Sequence, residues 1–297
     1  MIKEPTVFIL GAGASKPFKF PTGIELVNAI RQNVTSQNDD ILRLYTANSI
    51  KPSELKQFAY ALLYSGKDSI DQFLEHRTEF IEIGKLAIAQ ELIKYEDESI
   101  LFRTGDWYRY IFGKLNASFE AFDENKISVI TFNYDRSFEQ YLFTALKNSY
   151  GKNDDECAEK INNIPIIHVH GQLGKLPWQD KHGRVYKDQH LNLNACSAAA
   201  AGIKIIHENA DYDAFRQAQV LLRRAKNIYF LGFGYNETNV KRLSLPRDSS
   251  SKGTAFGLED AEKASIQALF LNHYNHTIYL DPSPVLHFLR SKVSFDL

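Results

Sequence analysis

His170 and Asn133 are the residues of this chain whose type and place suit proton transfer and positioning, and two glycine-rich segments suit the holding of an anion. His170 closes the segment His168-Val169-His170-Gly171, at the mouth of an apolar run and against a glycine that allows a turn. A neutral imidazole there takes up a proton near pH 7, the task of a general base. Period-two alternation puts Ile166, His168 and His170 on one face. His168 lies deeper, where a buried and satisfied ring is the plainer reading. Asn133, in Thr131-Phe132-Asn133-Tyr134-Asp135, ends another apolar run. Asn is depleted in strands, and an amide at a strand's carboxyl end can donate to and accept from a sugar hydroxyl or a water. Asp135 suits a helix N-cap.

Gly11-Ala12-Gly13-Ala14-Ser15 follows an apolar run and precedes a helical pattern. Glycines there let a backbone approach a pyrophosphate, and amides at a helix start point at its charge. Lys16 stands where the dinucleotide fingerprint has its third glycine, and Ser15 suits either a ligand contact or a cap. Alone, the loop equally fits a βα turn with glycines for steric reasons. Leu231-Gly232-Phe233-Gly234-Tyr235-Asn236 repeats the pattern late in the chain. A His-x-His pair on a strand can also hold zinc if other strand ends add ligands. Asp281 and His207 are available, but nothing pairs them with it, and Leu280-Asp281-Pro282 reads as a turn.

Each of these segments belongs at the carboxyl end of a strand. Thr6–Leu10 is a short apolar run ending at Gly11, as a strand buried on both faces requires. Further strands are predicted over 127–132, 164–169, 203–206, 227–231 and 276–280, and helices over 23–34, 137–146, 212–225, 258–271 and 284–289. Such alternation means a mostly parallel sheet covered on both faces. From about 39 to 122 strand signals vanish, and 54–64, 70–80, 82–95 and 107–119 repeat apolar residues at helical spacing. A plain crossover needs far fewer residues. The pattern predicts an α/β fold: a Rossmann-like parallel sheet with helices on both faces and an inserted all-helical layer. It reads as one domain over 1–297 with a helical insertion at about 39–122. The insertion shows no titratable cluster at a motif-like spacing. Its aromatic residues (Tyr60, Tyr64, Phe73, Phe80, Trp107, Tyr108, Tyr110 and Phe112) suit a core of its own, a lid over the crevice or contact with another subunit. Residues 148–163 read as a loop or frayed helix end, 173–194 as an irregular excursion, and 247–254 as a mobile, Ser-rich loop.

Composition narrows the class. Of 297 residues, 44% are hydrophobic and 24% charged, as in ordinary globular chains. A net charge of −1 gives no bulk attraction to nucleic acid or anionic membrane. No apolar stretch nears the roughly 20 residues that span a bilayer, and Met1-Ile2-Lys3-Glu4-Pro5 lacks a signal-peptide pattern. Cys157 and Cys196 make neither a disulfide framework nor a zinc knuckle. The expectation is a reduced, cytoplasmic protein.

In this order, Gly-Ala-Gly-x-Ser, Asn-x-Asp, His-Gly and a Gly-rich strand end resemble the sirtuin superfamily, over roughly residues 5–35 and 125–285. Pro21-Thr22-Gly23 and Phe132-Asn133-Tyr134-Asp135 look more like its divergent bacterial members, the sirtuin-like NAD hydrolases of anti-phage defence. The resemblance implies Asn133 and His170 as catalytic residues. It sets Gly11, Ala12, Gly13, Ser15 and Asp135 on NAD-contacting loops, and Gly232, Gly234 and Asn236 at the later ribose-contacting strand end. It implies NAD as substrate without a metal, homo-oligomers that are silent until infection, and a partner such as a HerA-like ATPase or a short Argonaute. Deacylase sirtuins carry a four-Cys zinc module, which Cys196 alone cannot make, and a Phe-Arg where this chain has Pro21-Thr22-Gly23. Both departures favour cleavage of the nicotinamide–ribose bond by water, with His170 as base and Asn133 orienting the water or ribose. The rival readings are a non-catalytic NAD or ADP-ribose sensor and a deacylase or ADP-ribosyl transferase.

Overall fold

The computed structural model describes residues 1–35, 38–103, 106–205, 211–247 and 249–295, with the backbone alone for 211 and 212. Six strands form one parallel sheet: β1 Thr6–Leu10, β2 Ile127–Thr131, β3 Ile166–His168, β4 Asn227–Leu231, β5 Ser250–Thr254 and β6 Thr277–Asp281. Their spatial order is β3-β2-β1-β4-β5-β6. Thr6 of β1 stands opposite Ile127 on one side and Asn227 on the other. The winding reverses between β1 and β4, and in open α/β sheets a crevice forms beyond the carboxyl ends at such a reversal.

All five residues of β1 are buried, and their alternation feeds two cores. Phe8 and Leu10 join Phe58, Phe73 and Trp107 of the inserted helices in one apolar cluster. Val7 and Ile9 join Phe215, Phe230 and Phe270 on the opposite face. Between β1 and β2 every regular element among the described residues is helical, the longer ones being Gly23–Thr35, Asp39–Ala47, Pro52–Leu63, Ile70–His76, Ile81–Ile93 and Trp107–Lys114. Ile81–Ile93 is buried around its circumference from Ile83 onward, its apolar residues on every side making it an interior helix and its buried Glu91 paired with Lys94.

Three expectations from sequence fail here. Residues 203–206 give no sheet strand: Ile203 makes an isolated antiparallel bridge to Gly171, and 206 lies outside the described residues, as does His207. The fifth strand is instead Ser250–Thr254, inside the stretch expected to be a mobile loop. Its buried side chains are small because its neighbours are large: a Cβ on Gly253 would stand 2.1 Å from the Tyr235 hydroxyl. Its buried hydroxyls have partners, since Thr254 Oγ1 accepts from Gly232 N (2.8 Å) and Ser251 Oγ bonds His276 Nε2 (2.9 Å). Lastly, 148–163 contains the helix Asp154–Asn162, started by a reciprocal cap between Asn153 and Glu156.

Candidate active site

The loops after β1 and β4 meet backbone to backbone. Gly11 N donates to Leu231 O (3.1 Å) and Gly13 N to Gly232 O (2.9 Å). A Cβ on Gly11 would stand 2.6 Å from Gly232 O, and one on Gly232, which has φ +57°, would stand 2.0 Å from Ala14 N. Only glycine fits that junction. Two amides of the first loop are therefore committed to β4 rather than left for an anion. Trp107 braces the loop from the insertion, its Nε1 donating to Ala14 O (2.8 Å). Gly234 differs: a Cβ there would meet nothing within 4 Å, so it opens space.

Around this junction lie two adjoining chambers. The larger, about 660 Å³, runs from Ala12, Gly13 and Thr22 past Gly232 and Gly234 to Thr254, Phe256 and Pro284. The smaller, about 220 Å³, is lined by Gly11, Asn133, Asn236, Asp71 and Glu75, and shares Ala12, Gly23, Phe233 and Gly234 with the first. Asp281 stays out of both chambers; its carboxylate accepts from Ser283 N (3.1 Å) in the turn the sequence suggests.

Asn133 ends β2 with a side chain oriented by its neighbours. Its Nδ2 donates to Gly11 O and to Ser15 Oγ, both at 3.0 Å. Ser15 Oγ in turn donates to Asp135 Oδ2 (2.7 Å), so that hydroxyl accepts from Asn133. Both amide hydrogens are thereby used, and Oδ1 is the atom left to accept from a ligand in the smaller chamber. Ser15 and Asp135 line neither chamber. Asp135 is buried, holds Ser137 as well as Ser15, and has its pKa raised by burial against those hydrogen bonds. The pair thus acts behind Asn133, as a scaffold, rather than at the chamber surface.

The two histidines diverge, against the expectation of a shared face. The strand stops at His168 and the chain turns, with Gly171 N donating to His168 O (3.2 Å). His168 Nδ1 bonds Asn133 O (3.0 Å) and Nε2 bonds Glu139 Oε1 (2.6 Å). Two acceptors call for an N–H on each nitrogen, hence an imidazolium. Burial pulls its pKa down, but Glu139 and these hydrogen bonds outweigh it, and the net shift is upward. Glu139 is correspondingly lowered, burial again being overcome by the pairing. His168 therefore holds the backbone of Asn133. The His170 ring instead packs against Phe132 (5.5 Å between centroids) and Phe215 (6.3 Å). Its Nδ1 is buried with no hydrogen-bond partner among the described residues. Burial, with Arg242 adding and Asp71 and Glu75 opposing, holds its pKa below 6.5, so the ring is neutral at pH 7. This divergence separates the pair that a His-x-His metal site would bring together.

Asp71, Gln72 and Glu75 were not anticipated. They come from Ile70–His76, in the insertion where no titratable cluster is apparent by motif. The signal present is Asp71-x-x-x-Glu75, two carboxylates on one helix face. Asp71 is held by the Tyr134 hydroxyl and Glu75 by Arg242 (3.4 Å). Behind β2, fully buried Arg136 pairs with Glu96 through Nε (2.9 Å) and Nη2 (2.8 Å). Its guanidinium also donates to the carbonyls of Gly174, Lys175, Arg184 and Val185. That anchors the irregular excursion to the sheet and to the insertion. Cys196 is a buried structural thiol, its pKa pushed up to about 12 by burial.

A doubly wound parallel sheet with a two-chambered crevice at its reversal defines a Rossmann-like α/β protein. Within that class the chain belongs to a known family: residues 127–279, just over half its length, match the SIR2-like domain. That span runs from β2 to β6 and leaves out β1, its glycine loop and the insertion. Among solved structures the chain is similar to Sir2Tm bound to a propionylated peptide, at 18% identity and a TM-score of 0.41. It is also similar to Sir2 in complex with the inhibitor EX-527, 2'-O-acetyl-ADP-ribose and a deacetylated p53 peptide, at 17% and 0.40. Each likeness covers 96% of this chain and 90% of the other. No curated protein matches the chain.

Proposed function

We propose that the protein is an NAD glycohydrolase, cleaving the nicotinamide–ribose bond with water to give nicotinamide and ADP-ribose. The observation that carries this reading is Asn133, whose amide is fixed by Gly11 O and Ser15 Oγ so that Oδ1 accepts from a group in the smaller chamber. In this assignment the ADP part fills the larger chamber and the nicotinamide riboside the smaller. Asn133 orients a ribose hydroxyl or the attacking water, a positioning role. His170 lines neither chamber, its ring lying against Phe132 of the smaller one; its role as the base, neutral at pH 7, that accepts the proton this group releases is carried over from the sequence resemblance. The C1'–N bond breaks, its electron pair leaves with nicotinamide, and the water oxygen bonds C1'. Asp71 and Glu75 put negative charge beside the developing cation. Gly11, Ala12, Gly13, Gly232, Gly234 and Asn236 form the walls. The sequence resemblance extends the proposal to NAD depletion in anti-phage defence, in the cytoplasm, by a homo-oligomer with a partner such as a HerA-like ATPase or a short Argonaute. Nicotinamide release from NAD by the purified protein, with and without a chelator and an acylated peptide, tests the core of this. Release that needs neither metal nor peptide supports it. Binding without release means a sensor, and release only with peptide means a deacylase. His170→Ala is expected to abolish release with an unchanged circular dichroism spectrum.

A further inference from the structure

A groove of about 820 Å³ lies on the insertion, between Pro52–Leu63 and Ile70–His76, with a lining distinct from that of either chamber. Its floor is aromatic: Phe73 and Phe80 are buried there with nearly parallel rings. On its wall Tyr60 and Tyr64 stand 67% and 69% exposed, with ring centroids 4.6 Å apart. Solvated rings of this size on an otherwise well-packed layer are surfaces waiting for a flat partner. The titratable groups in the lining besides these tyrosines are Lys56, Lys67, His76 and Arg77, with no carboxylate among them. Lys56 and Lys67 make no ion pair among the described residues, and Glu79 bonds only Nε of Arg77. In a chain of net charge −1 this is a local excess of positive charge beside exposed rings.

We propose that this groove is a second ligand site, for a free nucleotide, with the base stacked on one ring of the tilted pair Tyr60 and Tyr64 and edge-on to the other, and the phosphates on Lys56, Lys67 and Arg77. Aromatic faces with flanking cations hold nucleotides by stacking and charge together. A purely apolar ligand leaves the cations unanswered, and a cationic one is repelled. The volume suits a single small ligand rather than a folded partner. The site stands independently of the reaction proposed for the crevice. Its position has a consequence all the same: Ile70–His76 offers Phe73 and His76 to the groove, and Asp71, Gln72 and Glu75 to the smaller chamber.

Titration of the whole chain with the fluorescent nucleotide etheno-ATP tests this, using wild type, Tyr60→Ser with Tyr64→Ser, Lys56→Glu with Lys67→Glu, and Gly234→Trp. The last fills the crevice, where a side chain at 234 meets open space. Saturable binding is expected to persist in Gly234→Trp, where only the groove is open, and in wild type with at most one further site. Both groove variants should weaken it by about tenfold or more, with circular dichroism spectra unchanged. Loss of binding in Gly234→Trp alone would show that the nucleotide enters only the crevice, and overturn the proposal. Absence of saturation in wild type would overturn it as well. Preference for a short oligothymidylate, lost in the groove variants, would replace the free nucleotide by a strand and overturn the assigned ligand.

Discussion

Asn133 shows how much of a site can depend on one amide's orientation. Its two hydrogens tie the end of β2 to the loop after β1, and its oxygen remains for a ligand. Asn133→Ala is therefore expected to lose turnover by two or more orders of magnitude while still binding ADP-ribose, because the pyrophosphate end makes its contacts elsewhere. A calorimetric titration beside the cleavage assay checks this, and normal turnover would remove Asn133 from the mechanism. His168 predicts a pH effect whose sign follows from its neighbours. Its folded pKa is raised above 6.5, so its contribution to stability is complete below pH 6.5 and fades as pH rises through the folded value. Glu139 is lowered from 4.5, so its share is complete above pH 4.5 and is lost as pH falls through its folded value. The stability gap between wild type and His168→Ala, from urea melts, should be widest between about pH 4.5 and 6.5 and should narrow as pH rises through the folded value of His168. A gap that grows with alkalinity would mean His168 is neutral in the fold.

Arg136 joins three elements through one guanidinium, and removing either partner of its buried pair leaves an uncompensated charge. Glu96→Ala is expected to destabilise by about 3–5 kcal/mol, read as a lowered urea midpoint; a change below 1 kcal/mol would mean that water replaces the pair. The elements themselves were unevenly legible. Those with a strong period, such as β1 and the helices of the insertion, follow from the order of apolar residues. Ser250–Thr254 has no such signal, because its smallness answers Tyr235 and its hydroxyls answer His276 and Gly232, all distant in sequence. Asn133 could be placed at a chamber because strand ends are readable. Asp71 and Glu75 could not, because which face of Ile70–His76 meets the crevice is decided by tertiary packing. Alternation carried His170 to the same side as His168 only on the premise that the strand continues, and it stops one residue before Val169.

At the scale of the whole molecule, the aromatic residues of the insertion serve its interior first: Phe73, Phe80, Trp107 and Tyr108 are buried. Tyr60 and Tyr64 are the most exposed members of the set. Light scattering of the purified chain is expected to give a multiple of 33.9 kDa. A monodisperse single-chain mass with full, unregulated cleavage would remove assembly from the proposal and leave the catalytic part standing. One feature governs how any ligand gets in. The loops carrying Gly11, Gly13 and Gly232 are joined by hydrogen bonds and by contacts too close for a side chain, and Trp107 clamps the first of them from behind. Neither can swing without dragging the other, so together they form an anvil. The wall facing it carries Thr22, Gly23 and the helix Ile70–His76, tied by the side chains of Tyr134 and Arg242, so the crevice has one wall locked by backbone and one held by side chains.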